Sequence, residues 1–208
     1  MTATLDEDLS SQRRRMMKRL LILSMVFAVT TTAWAQSRSY PKAKVSFQDF
    51  KELVAAVESH RAARLVDLDT FLRMSTEPDT IIFDSRSDVR FNRIHMKGAR
   101  HLSFTDFTQD NLGTVIPSFN TRILIYCNNN FEGNETDFAS KMSTAPRAPS
   151  DEALTTQFAV QEKPRMMALN IPTHVNLYGY GYRNVYELDE LVSVDDPRIE
   201  FEGSIVKN

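Results

Sequence analysis

The stretch Arg122-Ile-Leu-Ile-Tyr-Cys127-Asn-Asn-Asn-Phe-Glu-Gly133 most restricts how this chain can fold. Ile123 to Tyr126 is a short apolar run bounded by polar residues, the pattern of a buried parallel strand. The only cysteine stands at its C-terminal end. Three asparagines and a glycine follow, residue types suited to a tight loop. Asn134 to Met142 then reads as a helix, with acidic residues in its first turn and Lys141 near its end. In open α/β sheets, ligands bind at the carboxyl ends of the strands. A thiol there meets backbone N–H groups and a helix N-terminus, which lower its pKa. Cys127 is therefore expected to be accessible, with a depressed pKa.

Similar signals recur along the chain. Thr80-Ile-Ile-Phe-Asp84 is a second short buried strand, and His101 to Phe104 a third. Ser46 is a good N-cap, and Phe47, Phe50, Leu53, Val54 and Val57 recur at helical spacing up to His60. Asp67–Met74 predicts a helix. Asp106–Leu112 reads as a loop or short helix, and Arg165–Asn170 as one or two helical turns. Thr173 to Tyr178 reads as the last strand, Gly179 to Tyr182 as a loop and Arg183–Val192 as a closing helix. Strands alternating with helices imply a parallel sheet covered on both faces.

The 208 residues carry a formal net charge of −2. Residues 1–35 hold five basic and three acidic side chains, so the remainder is at −4. No basic patch dominates, which argues against a nucleic-acid partner. Arg13 to Arg19 is basic, Leu20 to Ala28 is apolar, and Ala33-Trp-Ala35 has the small residues of a cleavage site. Residues 1–35 thus read as a signal peptide, with Met16 or Met17 as an alternative start. The mature chain would begin at Gln36 and be periplasmic or secreted, with no stable membrane span after cleavage. An uncleaved N-terminal membrane anchor is the alternative. A single cysteine offers no internal disulfide and no common zinc site.

Asp84-Ser-Arg86, Phe91, His95-Met-Lys-Gly98-Ala99 and Tyr126-Cys127 occur in the order and spacing of a rhodanese-like domain, and the chain resembles that family over roughly Leu65 to Val192. The resemblance implies an α/β three-layer fold with a central, mostly parallel five-stranded sheet. It divides the chain into a helical extension at 36–64, a domain at 65–192 with an insertion at 143–164, and a tail at 193–208. It implies Cys127 as a nucleophile that carries sulfur as a persulfide, with no cofactor and no metal. Asn128, Asn129, Asn130, Phe131, Glu132 and Gly133 would form the substrate loop, and Asp84 and Arg86 would support it. A sulfur donor and a thiol acceptor, both unidentified, would be the partners.

Three departures from the family pattern stand out. The cysteine loop holds no cation. Glu132 is expected to repel a dianionic donor, so thiosulfate is expected to be a poor one. Arg90 occupies a position that is often acidic. The family's final Gly-Gly turn matches Gly179-Tyr-Gly181 or the stretch after Leu188, and the first is preferred. The chain therefore reads as an exported sulfurtransferase or sulfur carrier. The alternative is a non-catalytic rhodanese-like module that binds a protein partner.

Overall fold

A computed structural model of the chain describes residues 12–17, 40–143, 165–166 and 168–206. The chain forms two compact units, Met1–Val45 and Ser46–Asn208. In the first, residues 12–17 are helical. The apolar run Leu20–Ala28 and the Ala33–Ala35 motif lie outside the described residues. Among those described, no helix is long and apolar enough to cross a membrane.

The second unit begins with α1 (Phe47–Ala62), where the Ser46 hydroxyl accepts from the Asp49 N–H. There follow β1 (Leu65–Val66), α2 (Leu68–Ser75), β2 (Thr80–Asp84), α3 (Asp88–Arg93), β3 (His95–Met96), β4 (Arg100–His101) and α4 (Gln109–Val115). Then come β5 (Arg122–Tyr126), β6 (Phe131–Glu132), β7 (Met142–Ser143), β8 (Arg165–Met166), α5 (Asn170–Gly179), β9 (Val185–Leu188), β10 (Val192–Ser193) and β11 (Phe201–Glu202). The main sheet has the order β1-β9-β5-β2-β4, and every pairing in it is parallel. The expected five-stranded α/β fold is therefore present.

Period-two alternation along β5 divides the core. Ile123 and Ile125 join Ile81, Phe83, Leu112, Leu177 and Val185 on one face. Leu124 and Tyr126 join Leu68, Phe71, Phe131, Phe138 and Leu188 on the other. Both faces are covered, which is why these strands are short uninterrupted apolar runs.

The last third differs from the sequence expectation. Thr173–Tyr178 is not a strand but part of α5. Pro172, in its first turn, is preorganised for a helix start and lacks an N–H that would be an orphan there. Arg183–Val192 is not a helix. It supplies β9, where Val185-Tyr-Glu-Leu has strand-forming residues and Glu187 pairs with Arg61 of α1 at 2.6 Å. Gly181, at φ +103°, ends α5 and turns the chain into β9, so the last strand follows the glycine turn. Nor is there a helix over Asn134–Met142. The Asn134 side chain accepts from Asp137 N–H, closing one turn, and Phe138 is then buried among aromatic rings. The described residues of Arg165–Asn170 do not form a helical turn: they hold β8 and only the first residue of α5. The third strand is limited to β4, with a short 3-10 turn over Phe104–Asp106. Strands β7 and β8 pair antiparallel, bringing together the ends of the expected insertion. The insertion between them lies outside the described residues.

Candidate functional site

The register of β2 on β5 builds the site. Asp84 pairs with Tyr126, so Ser85-Arg86 and Cys127-Asn128 leave the sheet side by side at its carboxyl edge. Asn128–Asn130 forms one 3-10 turn. Asn130 fastens that turn: its Oδ1 accepts from Cys127 N–H at 2.9 Å and from Asn170 Nδ2 at 2.9 Å. Its Nδ2 donates to the carbonyls of Leu188 at 2.8 Å and Glu190 at 3.1 Å. One buried amide thus ties the cysteine loop to β9 and to the start of α5.

Asp84 and Arg86 lie behind the loop, both almost fully buried. The Arg86 guanidinium donates to Asp84 through Nε at 3.0 Å and Nη2 at 2.7 Å, and to Ile94 O at 2.6 Å. Tyr126 Oη donates to Asp84 Oδ2 at 2.6 Å and accepts from Met96 N–H at 3.1 Å. The guanidinium lies 4.6 Å from the centroid of Phe138 and 5.5 Å from that of Tyr126. A buried ion pair persists only with partners of this number and geometry.

Alternation along β5 places Cys127 on the face that α5 covers. The thiol adjoins a cavity of about 400 Å³ lined also by Arg86, Arg90, Asn128, Lys141 and Leu169. Cys127 is 1% exposed. Burial pushes its pKa up, as does Asp84, while the N–H groups of Leu169 and Asn128 and the charge of Arg86 pull it down, with a net rise. The expectation of an accessible thiol with a depressed pKa is thus overturned, because desolvation outweighs the donors. The helix N-terminus beside the sulfur belongs to α5, not to the segment following the cysteine. When alkylation by iodoacetamide is followed against pH, its midpoint should lie above the ordinary thiol range, roughly 8.5. A midpoint below that range would contradict the buried geometry.

The remaining loop residues separate. Asn128 lines the cavity. Asn129 Oδ1 accepts from Lys141 N–H at 3.0 Å, which brings Lys141 to the loop. Phe131 does not face the cavity; it packs in the core against Tyr126, Phe138 and Phe201. Glu132 is exposed in β6, paired with β10, and is not among the cavity lining. The repulsion expected from it has no geometric basis. Gly133 makes the turn after β6 at φ +91°.

Three contributors come from outside the cysteine loop. Arg90 reaches the cavity from α3, with Nη1 donating to Thr136 O and 3.7 Å from Asp137. Asp137 also binds Arg93 at 2.5 Å, so one carboxylate faces two guanidinium groups. Lys141 is exposed at the cavity edge, with no ion-pair partner among the described residues. Leu169 contributes a backbone N–H. Pro172 was the signal for the helix start that positions it; nothing local to Arg90 or Lys141 marks them as neighbours of a residue 37 or 14 positions away.

A search of curated proteins finds no match to this chain. A family model, the rhodanese-like domain, matches residues 67–190. That span runs from the N-cap of α2 to the residues that fasten the cysteine loop. It takes in four of the five strands of the parallel sheet, all but β1, together with the Asp84–Arg86 pair and the cysteine at the end of β5. Sulfurtransferases, sulfur carriers and binding modules share this domain, and the chain belongs to the rhodanese-like family.

Proposed function

We propose that the protein is a sulfurtransferase or sulfur carrier in which Cys127 accepts sulfur from an anionic donor. One observation carries this reading: Cys127 adjoins a cavity whose described lining includes Arg86, Arg90 and Lys141 and no carboxylate. Arg86 is neutralised by Asp84. Arg90, Arg93 and Asp137 together leave about one positive charge, and Lys141 adds another. The site therefore favours anions, and the missing loop cation is replaced from α3 and from the segment before β7.

In the first half-reaction the Cys127 thiolate attacks the outer sulfur of an S–S donor such as thiosulfate. The donor's S–S bond breaks and its electron pair leaves with the sulfite. The product is a persulfide anion on Cys127. Its outer sulfur lies about 2 Å beyond the first, beside the cavity that Arg90 and Lys141 also line. The N–H groups of Leu169 and Asn128 oppose the cost of burying the attacking thiolate. An acceptor thiolate then takes the outer sulfur, and Cys127 departs as thiolate.

Mass spectrometry after exposure to inorganic polysulfide tests this. The Cys127 peptide should gain one sulfur, released by dithiothreitol. An unmodified Cys127 would leave the binding-module reading in its place. We propose further that the mature chain begins at Gln36 and acts outside the cytoplasm, supported by the basic, apolar and Ala-x-Ala order of residues 13–35. N-terminal sequencing should find Gln36 first; an intact leader on a cytoplasmic protein would refute it.

A further inference from the structure

Helix α1 lies before the region that matches the family, and the described residues of its unit cover only part of its apolar stripe. Phe47, Phe50, Val54, Val57 and Arg61 recur at the spacing of one helix face. The C-terminal half is held to the domain. Val57 is buried, Arg61 pairs with Glu187, and His60 Nε2 lies 3.0 Å from Arg183 O. Leu53 also sits against Gly179, where a Cβ would come within 3.0 Å of its methyl group. Among the described residues of this unit, nothing covers the N-terminal half of the stripe: Phe47 is 81% exposed, Phe50 50% and Val54 38%. Two exposed phenylalanines and a valine on one face form a patch, and such patches mark interaction sites.

Charge and area indicate the occupant. Residues 36–54 hold four basic side chains (Arg38, Lys42, Lys44, Lys51) and two acidic ones. Residues 55–208 hold sixteen basic and twenty-two acidic. The apolar face thus belongs to the positive end of an otherwise negative mature chain. A negatively charged surface attracts that end and repels the rest. A stable dimer needs about 800 Å² from each partner, and three side chains over two helical turns fall well short. Shallow insertion at a lipid interface needs only an apolar face and nearby cations.

We propose that the Phe47–Phe50–Val54 face of α1 is a docking surface for anionic lipid, holding the domain at a membrane surface independently of any spanning segment. The test uses the mature chain from Gln36, which holds no tryptophan, with Phe50→Trp as a reporter. Its emission should shift to the blue and lose at least half its intensity on vesicles of brominated phosphatidylglycerol. Brominated phosphatidylcholine vesicles should leave it unchanged. Adding Lys42→Gln, Lys44→Gln and Lys51→Gln should reduce the quenching at least severalfold, and so should Phe47→Ser. A control reporter at another exposed apolar position, Val89→Trp, should not be quenched.

Several results would overturn the proposal. Equal quenching by neutral and anionic vesicles, or equal quenching of the two reporters, would show adsorption without this face. Absence of quenching would show no insertion. A blue-shifted reporter without vesicles would show that a second copy, or the chain's own N-terminal segment, already covers the face.

Discussion

Replacing Arg86 by leucine is expected to remove about 3–5 kcal/mol of folding stability, the cost of breaking one side of a buried ion pair. Arg86 and Asp84 are 2% and 0% exposed. Without the guanidinium, the carboxylate keeps the Tyr126 hydroxyl and the backbone N–H of residue 86, at 2.6 and 2.9 Å, but no counter-charge. Ile94 O loses its side-chain donor, and Phe138 loses the flat group stacked against it. Domain stabilities are about 5–15 kcal/mol, so the loss is a large share of the total. The melting temperature should fall by roughly 6–20 °C for a domain of this length. Arg86→Lys should lie between the two, since it restores charge but not the forked geometry. Urea denaturation of the three proteins measures this. A midpoint for Arg86→Leu matching the wild type would mean that the pair does not stabilise the native state.

The same residues show what the sequence made legible. Asp84-Ser-Arg86 and Tyr126-Cys127 each follow a run of buried strand residues, so local pattern located β2, β5 and the thiol between core and loop. That the Asp84 and Arg86 side chains meet is also local, because they are two positions apart. Over residues 170–188 the pattern was ambiguous. Val175 and Leu177 alternate as in a strand, yet Thr173, Leu177 and Tyr180 fit a helical period, and Pro172 should have decided between them. Buried polar residues obscured the amphipathic signal: Thr173 and His174 are 1% and 0% exposed. Thr173 is accommodated by a 2.6 Å hydrogen bond to Ser85, which only the tertiary fold brings near. The electrostatics of the cavity were illegible for a related reason. The loop that follows the cysteine shows Glu132, which is exposed outside the cavity, and not Arg90 and Lys141, which arrive from other segments. The thiol's pKa is illegible in the same way: the sequence places N–H donors near it, while the depth of burial that outweighs them depends on packing across the whole sheet.

Removing both outer cations, as Arg90→Gln with Lys141→Gln, should lower kcat/KM for thiosulfate about thirtyfold. Opposite unit charges 4 Å apart at an effective dielectric near 20 interact by roughly 4 kcal/mol before screening. Arg90 is 34% exposed at its side chain and shares Asp137, and Lys141 is open to water, so most of that is lost to solvent and salt. About 1 kcal/mol each remains, and 1.36 kcal/mol is tenfold in rate. The loss should be confined to charged donors, because an uncharged organic polysulfide gains little from a cation. Raising ionic strength should slow the wild type and leave the double variant nearly unchanged. Glu132→Arg should turn over thiosulfate at the wild-type rate, since that side chain is exposed outside the cavity. Cyanide-dependent thiocyanate formation measures all three proteins. A double variant as fast as the wild type would place the donor's charge outside the reach of these cations, and a large gain in Glu132→Arg would return the controlling charge to the loop.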